Sequence, residues 1–340
     1  MSQADHVQSS QTGNAWFRFW FQPSRAGGLD RVRQGLAVIV AVYFASAWGD
    51  LSLWYSYGGP ASSTNLSGFL RDAGFAEEAR WLISPLFLWD SLFQGTLWAE
   101  ATWVYQLYVL IGIALAGWVA LVIPSSQVPT EKLPRGRVLR LMNSVAPLLL
   151  WIWFVGWANR ISILSSIAEP ILSVSLAAIA IAPVAPLDAS KRFIALHWRN
   201  TLSRRLLSCQ VTLIAVMTTA TMLAGRCWWD GTGAYVLNAP AEDRLISVRG
   251  TWFEVPWVYE STTMFLVIAL PLGIFLAWQR APTQWNTARQ WGVALVWVWC
   301  LIVALLSQHL IYAATIAVIC TAIISDTGAA KTAPASDSTS

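Results

Sequence analysis

Long apolar windows recur along this chain, and polar or charged segments separate them. A helix needs about 20 predominantly apolar residues to cross the roughly 30 Å hydrocarbon core of a membrane. Windows of about this length lie at residues 34–54, 101–123, 141–158, 167–187, 206–225 and 259–278. The pattern predicts an all-α fold, a polytopic transmembrane helical bundle.

A longer apolar block at residues 291–324 follows these windows. One straight helix over this block would be about 50 Å long, too long for a single crossing without a large tilt. The polar triplet from Ser307 to His309 interrupts the block and predicts a tight hairpin of two short helices. We therefore expect about eight crossings, with seven as the alternative.

The composition supports a membrane protein. Of 340 residues, 56% are hydrophobic and only 12% are charged, and the mean hydropathy of +0.51 lies outside the range of ordinary soluble domains. Many of the 22 tryptophans flank the apolar windows, where an indole prefers the headgroup region. Four scattered cysteines and three histidines predict neither a disulfide framework nor a metal site.

The positions of the basic residues predict the orientation of the helices. Lys and Arg accumulate in cytoplasmic loops, and a cytoplasmic N-terminus puts most of the 22 basic residues on that side. The basic residues left outside are Arg71, Arg80, Arg160, Arg226, Arg244 and Arg249. Most acidic residues, in contrast to the basic ones, fall on the outer side. The net charge of +4 therefore reflects cytoplasmic anchoring loops, and no nucleic-acid partner is indicated.

The chain divides into three parts. Residues 1–32 are predicted to be a cytoplasmic arm, whose aromatic stretch from Ala15 to Pro23 is typical of an interfacial anchor. Because the start of this arm is polar, we expect no cleavable signal peptide. Residues 33–325 are predicted to form the transmembrane domain, and residues 326–340 a disordered tail. The expected location is the bacterial inner membrane, with the lipid bilayer as a partner.

Charged residues at the outer ends of predicted helices are the first candidates for chemistry. Arg160 ends the third crossing and Glu169 begins the fourth, so the two could neutralise each other across a short hairpin. Ionisable groups at membrane depth are functional candidates by default, yet a structural ion pair explains them equally well. Asp50, at the outer end of the first crossing, is a similar case.

The segment "RCWWDGTGAYVL" directly follows the fifth crossing. Trp228 and Trp229 fit an interfacial position. Asp230 and Gly231 form an Asp-Gly pair that favours a tight turn, since glycine readily adopts positive φ. We expect this turn to fold back over the bundle and to cover an outer-face pocket formed with Asp50, Arg160 and Glu169.

Three stretches in order carry a family resemblance. They are "WFRFWFQPSRAGGLDRVRQGLAVIV" with "WGDLSLWYSYGGP", then "NRISILSSIAEP", and finally "WWDGTGAYVL". The set resembles the HTTM family, the membrane domain related to vitamin K-dependent gamma-carboxylase, and within it the sporulation-delaying protein B-like proteins. The resemblance covers residues 15–324 and implies a transmembrane scaffold that acts on a secreted polypeptide, with vitamin K or another quinone as the family's cofactor.

The chain departs from that family at positions that matter for carboxylation. Carboxylase-type members carry a lysine base before the tryptophan element, and Met222 is nearest to that position here. A thioether cannot abstract a proton. The glutamate and histidine of the later family helices correspond to Val267 and Gln290. The resemblance therefore implies the scaffold without carboxylase chemistry.

Two functions follow from this sequence. The first is a membrane protein that assists in the production, maturation or export of a secreted peptide. The second is an enzyme that uses a quinone-type cofactor, because Trp151, Trp153, Trp157, Trp228 and Trp229 could stack on a quinone ring. A transporter is less well supported, since no duplicated broken helices are evident.

Overall fold

The computed structural model describes residues 14–24, 28–55, 58–62, 65, 72, 84–93, 96, 98, 101–125, 135–160, 166–182, 198–238, 255–279 and 286–324. Over these residues the chain is helical and contains no β-strand. The predicted disordered tail at residues 326–340, the polar start of the arm and the basic loops around residues 132 and 191 lie outside the described residues.

The helices are numbered in chain order. The first half of the chain forms α1 (Ala15–Phe21), α2 (Leu29–Ala47), α3 (Leu51–Trp54), α4 (Pro85–Leu92), α5 (Thr102–Ser125) and α6 (Arg135–Arg160). The second half forms α7 (Ala168–Ile181), α8 (Trp198–Ala224), α9 (Arg226–Trp229), α10 (Gly233–Leu237), α11 (Pro256–Trp278), α12 (Asn286–Ser307) and α13 (Leu310–Ile324). Each predicted apolar window coincides with one or two of these helices.

Several helices have the length and composition to cross a membrane. Within the described residues they are α2 continued through α3, α5, α8, α11 and α12. The helices α7 and α13 are equally apolar but shorter. A 3₁₀ turn over Trp48–Asp50 joins α2 to α3. The described part of the chain is therefore all-helical, with several helices suited to a membrane, as the apolar pattern predicts.

The break in the last apolar block lies where the polar triplet predicts it. Gln308 adopts a left-handed φ of 61° between α12 and α13, and the backbone N–H of Leu310 donates to the Gln308 carbonyl at 2.8 Å. The two helices pack against each other as a hairpin. The helix α12 is longer than expected because it already begins at Asn286.

The long helices pack in two groups. In the first group α2 packs on α5 and α7, and α6 lies between α5 and α7. In the second group α8 and α12 flank α11, and α13 packs on α12 and α8. Contacts of α13 with α2 and α7, and of α8 with α7, join the two groups.

Two buried arginines mark the opposite ends of this bundle. At one end the Arg33 guanidinium donates to the Asp30 carboxylate at 2.7 Å and to the Ala182 carbonyl at the end of α7 at 3.1 Å. At the other end Arg160 is the last residue of α6. We call these the Arg33 end and the Arg160 end.

Candidate functional site

Arg160 lies fully buried at the end of α6, with 0% of its surface exposed. Its Nη2 donates to the Tyr105 hydroxyl at 3.1 Å and lies 3.5 Å from the Asp90 carboxylate. Asp90 belongs to the short helix α4, which is itself too short to span a membrane and brings this carboxylate against the bundle. The guanidinium is therefore enclosed by side chains from α4 and α5.

Glu169 is buried in the first turn of α7 and accepts three hydrogen bonds. The Tyr43 hydroxyl of α2 donates to Oε1 at 2.9 Å. The backbone N–H and the hydroxyl of Ser166 donate to Oε2 at 2.6 and 2.7 Å. The same serine hydroxyl accepts from the Ala168 N–H at 3.1 Å. Ser166 and Glu169 thus form a variant of the capping box, which fixes where α7 begins.

Tyr43 reaches Glu169 because it lies on the buried face of α2. Val32, Leu36 and Val40 occupy the same face at helical spacing and are fully buried. Arg33 and Tyr43 contact the two ends of α7, through the Ala182 carbonyl and the Glu169 carboxylate. The helix α2 therefore holds both ends of α7.

Arg160 and Glu169, which we expect to neutralise each other, also have partners on other helices. Arg160 contacts Tyr105 and Asp90, and Glu169 accepts from Tyr43. Tyr55, just beyond the first spanning helix, lies close enough to both Arg160 and Glu169 for their charges to act on its hydroxyl. Burial raises the pKa of its hydroxyl, the Arg160 guanidinium lowers that pKa, and the Asp50 and Glu169 carboxylates raise it further. We define the Arg160 cluster as Tyr43, Tyr55, Asp90, Tyr105, Arg160 and Glu169.

The aromatic residues next to this cluster pack on one another. Tyr108 and Trp153 stack with ring centroids 4.1 Å apart. The Tyr108 hydroxyl donates to the Trp153 carbonyl at 2.7 Å, and the Trp153 indole donates to the Tyr108 carbonyl at 3.0 Å. Trp157 is fully buried against Phe44 and Tyr55. Trp153 and Trp157 therefore have ring partners within the protein, on helices other than their own.

The segment from Arg226 to Leu237, here the Asp230 turn, forms at the predicted place. Gly231 has a φ of +76°, as the Asp-Gly pair predicts. The N–H of Thr232 donates to the Cys227 carbonyl at 2.9 Å, the long bond of a Schellman motif in which Gly231 is the left-handed residue. The short helices α9 and α10 lie on either side of it.

Thr263 of α11 ties this turn to the bundle. Its hydroxyl accepts from the Ala234 N–H at 2.9 Å and lies 2.9 Å from the Gly231 carbonyl. The Trp229 indole donates to the Leu223 carbonyl at 2.8 Å. A Cβ on Gly233 would lie 2.4 Å from the Trp228 ring, so only glycine permits this packing.

The predicted pocket residues therefore fall into two groups. Arg160 and Glu169 are buried among α2, α4, α5 and α7, and Asp50 is exposed in the 3₁₀ turn near Tyr55. Trp228, Asp230 and Gly231 belong to the Asp230 turn, which packs on α8, α11 and α12. Asp230 forms an exposed ion pair with Arg226 at 3.2 Å.

The family positions Met222, Val267 and Gln290 are also spread along the bundle. Met222 is buried near the end of α8, beside the Asp230 turn and hence at the level of Thr263. Gln290 is exposed near Gly292, which packs against Ala277 at the other end of α11. Thr263 and Ala277 are separated by about 21 Å along α11. Val267 lies between these levels, so the three positions do not meet in one site.

Sequence reasoning missed five members or neighbours of the Arg160 cluster: Tyr43, Tyr55, Asp90, Tyr105 and Ser166. Ser166 had a readable signal, because Ser-x-x-Glu before an apolar run is a capping-box pattern. Tyr43 is also readable, at helical spacing from Leu36 and Val40. Tyr105 and Asp90 had no local signal, since their contacts with Arg160 depend on how α4 and α5 pack against α6.

Among the described residues, no group of three or more His, Cys, Asp or Glu side chains is placed to hold a metal ion. The chemistry available in the Arg160 cluster is that of a buried guanidinium, two carboxylates and three phenols. No protein-family model, curated protein or solved structure matches this chain.

Proposed function

We propose that this chain is a bacterial inner-membrane protein of about eight crossings with a cytoplasmic N-terminus. The concentration of Lys and Arg in alternate loops supports this orientation. The helices α6, α7 and α13 complete the number. The helix α6 has 26 residues, whereas α7 and α13, at 14 and 15 residues, are about 21 and 22 Å long and shorter than the hydrocarbon core. Buried contacts compensate for the short length of α7. Arg33 and Tyr43 donate hydrogen bonds to polar groups at its two ends, and lipid chains could not do so.

The proposed role is that of an HTTM-like accessory protein in the production, maturation or export of a secreted peptide, with the Arg160 cluster as its working part. One observation carries this proposal: two oppositely charged side chains, Arg160 and Glu169, are buried between helices suited to a membrane. Ionisable groups in such places are costly and usually functional. In the proposed orientation the cluster lies at the outer side, where a secreted peptide emerges.

Carboxylation is not part of this proposal. A carboxylase-type reaction would need a base in place of Met222, and the buried thioether offers none. Glu169 does not replace it, because its two oxygens accept hydrogen bonds from Tyr43 and Ser166. The cluster is better suited to holding a polar group of a peptide than to proton abstraction.

The decisive experiment separates the charge of Glu169 from its structural role. In Glu169→Gln, the amide oxygen can accept from the Ser166 N–H and the amide N–H₂ can donate to the Tyr43 hydroxyl. Glutamine also supports a capping box. The variant therefore keeps the start of α7, removes the charge and reverses the direction of the hydrogen bond with Tyr43. A strain without the chain is complemented with wild type or variant, and small secreted peptides in the medium are compared by mass spectrometry.

We expect at least one peptide to depend on the wild-type chain and to fall to the deletion level with Glu169→Gln, at unchanged membrane abundance of the variant. Asp230→Asn is the matched control, since that carboxylate is exposed and paired within its own helical turn. A peptide profile that Glu169→Gln leaves intact would reduce Glu169 to a structural cap. Quinone co-purifying with the wild-type protein, lost in Glu169→Gln, would instead favour the cofactor enzyme.

A further inference from the structure

The aromatic arm α1 is packed onto the start of α8 at the Arg33 end. Phe19 stacks on Trp278 of α11 with ring centroids 6.4 Å apart. The Arg205 guanidinium lies over both rings, 4.6 Å from the Phe19 centroid and 6.0 Å from that of Trp278. Cation–π contacts of this kind hold an arginine in place while its charge is retained.

The residues after α1 are held by polar contacts to α8. The Thr201 hydroxyl donates to the Gln22 carbonyl and lies 2.7 Å from the Ser24 hydroxyl. The Asn200 side-chain amide donates to the Ser24 carbonyl at 3.1 Å. The arm is therefore a fixed part of the fold, and the face of α1 that points away from the bundle has a defined position.

The face of α1 that points away from the bundle is apolar, aromatic and exposed. Trp16 and Phe17 are 63% and 62% exposed, and Phe21 and the neighbouring Trp198 are also exposed. Phe21 and Trp198 are in edge contact at 5.6 Å, so α1 and the start of α8 present one continuous surface. Exposed indole and phenyl rings on a short helix are typical of the headgroup region.

The two segments that form this surface carry charges of a single sign. Residues 14–24 and 198–210 contain four arginines, Arg18, Arg199, Arg204 and Arg205, and no Asp or Glu. Arg18 is exposed in the last turn of α1. It follows Phe17 in the chain, and the exposed rings of Phe17 and Phe21 contact each other with ring centroids 5.9 Å apart. A cationic and aromatic surface next to spanning helices complements the phosphates of anionic lipids.

We propose that the solvent-exposed face of α1 together with Trp198 is a docking surface for anionic phospholipid headgroups. The aromatic rings enter the headgroup region, Arg18 contacts a lipid phosphate, and the Arg205 contacts with Phe19 and Trp278 hold the arm at the required depth. The surface distinguishes lipids by charge and is separate from the Arg160 cluster at the other end of the bundle.

The test uses the purified full-length protein in detergent, titrated with phosphatidylglycerol or phosphatidylcholine, and native mass spectrometry counts the bound lipids. We expect wild type to prefer phosphatidylglycerol. Arg18→Gln should weaken phosphatidylglycerol binding about fivefold, the effect of one arginine near an anionic surface. The pair Trp16→Ser and Phe17→Ser should weaken both lipids, because these rings supply the apolar contact.

Matched controls exist at the Arg160 end. Arg226→Gln and Trp229→Ser change an exposed arginine and an exposed tryptophan there and should leave phosphatidylglycerol binding unchanged. Equal binding of both lipids by wild type, or equal effects of Arg18→Gln and Arg226→Gln, would overturn the proposal. A second copy or another protein that occupies this face, seen as a cross-link from position 17, would overturn it as well.

Discussion

Two arginines of this chain are each followed by a nearby acidic residue, but the two pairs differ in their exposure and in their partners. Arg226 and Asp230 pair with each other at 3.2 Å, with side chains 91% and 56% exposed. Arg160 and Glu169 are buried and have partners on other helices. Spacing along one helix is enough to pair exposed charges, whereas buried charges need side chains supplied by the rest of the fold.

The difference has a physical cause. An exposed ion pair is screened by solvent and contributes little. A buried charge loses the stabilisation that water provides, and several hydrogen bonds within the protein must replace it. Glu169 accepts three, and Arg160 is enclosed by Tyr105 and Asp90. Disruption of the Arg160 cluster should therefore affect stability far more than disruption of the Arg226–Asp230 pair.

The largest effect is expected for Arg160→Met. The substitution leaves the buried Asp90 carboxylate without this cation, and removal of one partner from a buried pair costs roughly 3–5 kcal/mol. Thermal unfolding in detergent, followed by circular dichroism, measures the loss. Arg226→Met is the matched control and should leave the melting temperature unchanged.

The double variant Arg160→Met with Asp90→Leu sharpens this result. It removes both charges, so it should recover part of the stability lost in Arg160→Met. A double variant that is less stable than the single one would show that Asp90 does not depend on Arg160.

An intermediate effect is expected for Tyr43→Phe. It removes one donor to the buried Glu169 carboxylate, and a hydrogen bond to a charged group is worth about 1.5–3 kcal/mol. The same unfolding measurement applies. Tyr235→Phe, at an exposed tyrosine of α10, serves as the control and should be neutral. Equal stability of Tyr43→Phe and wild type would mean that Ser166 alone holds the carboxylate.

The smallest effect is expected for Gly231→Ala in the Asp230 turn. At a φ of +76° an L residue costs about 1–2 kcal/mol. The added Cβ would meet the flexible Glu260 side chain at 2.9 Å, which can move. Limited proteolysis near the turn should become faster, and the loss of thermal stability should be smaller than in Tyr43→Phe. Gly117→Ala in α5, where a Cβ meets nothing within 4 Å, should show neither change.

The sequence by itself determined the local elements. Apolar windows located the long helices, the triplet from Ser307 to His309 located the last hairpin, and the Asp-Gly pair located the Asp230 turn. These features depend on residues close in the chain, so period, length and turn chemistry are sufficient. The Ser166 to Glu169 capping box was equally local, although it was not recognised.

Only the tertiary structure decided which side chains enclose the buried charges. Tyr43 is 126 residues from Glu169, and Tyr105 is 55 residues from Arg160. The same packing places Glu169 against α2 and Asp230 in the turn that packs on α8, α11 and α12, and it distributes Met222, Val267 and Gln290 along the bundle. A buried charge recovers its lost hydration through contacts between distant helices, and no pattern within one segment specifies them.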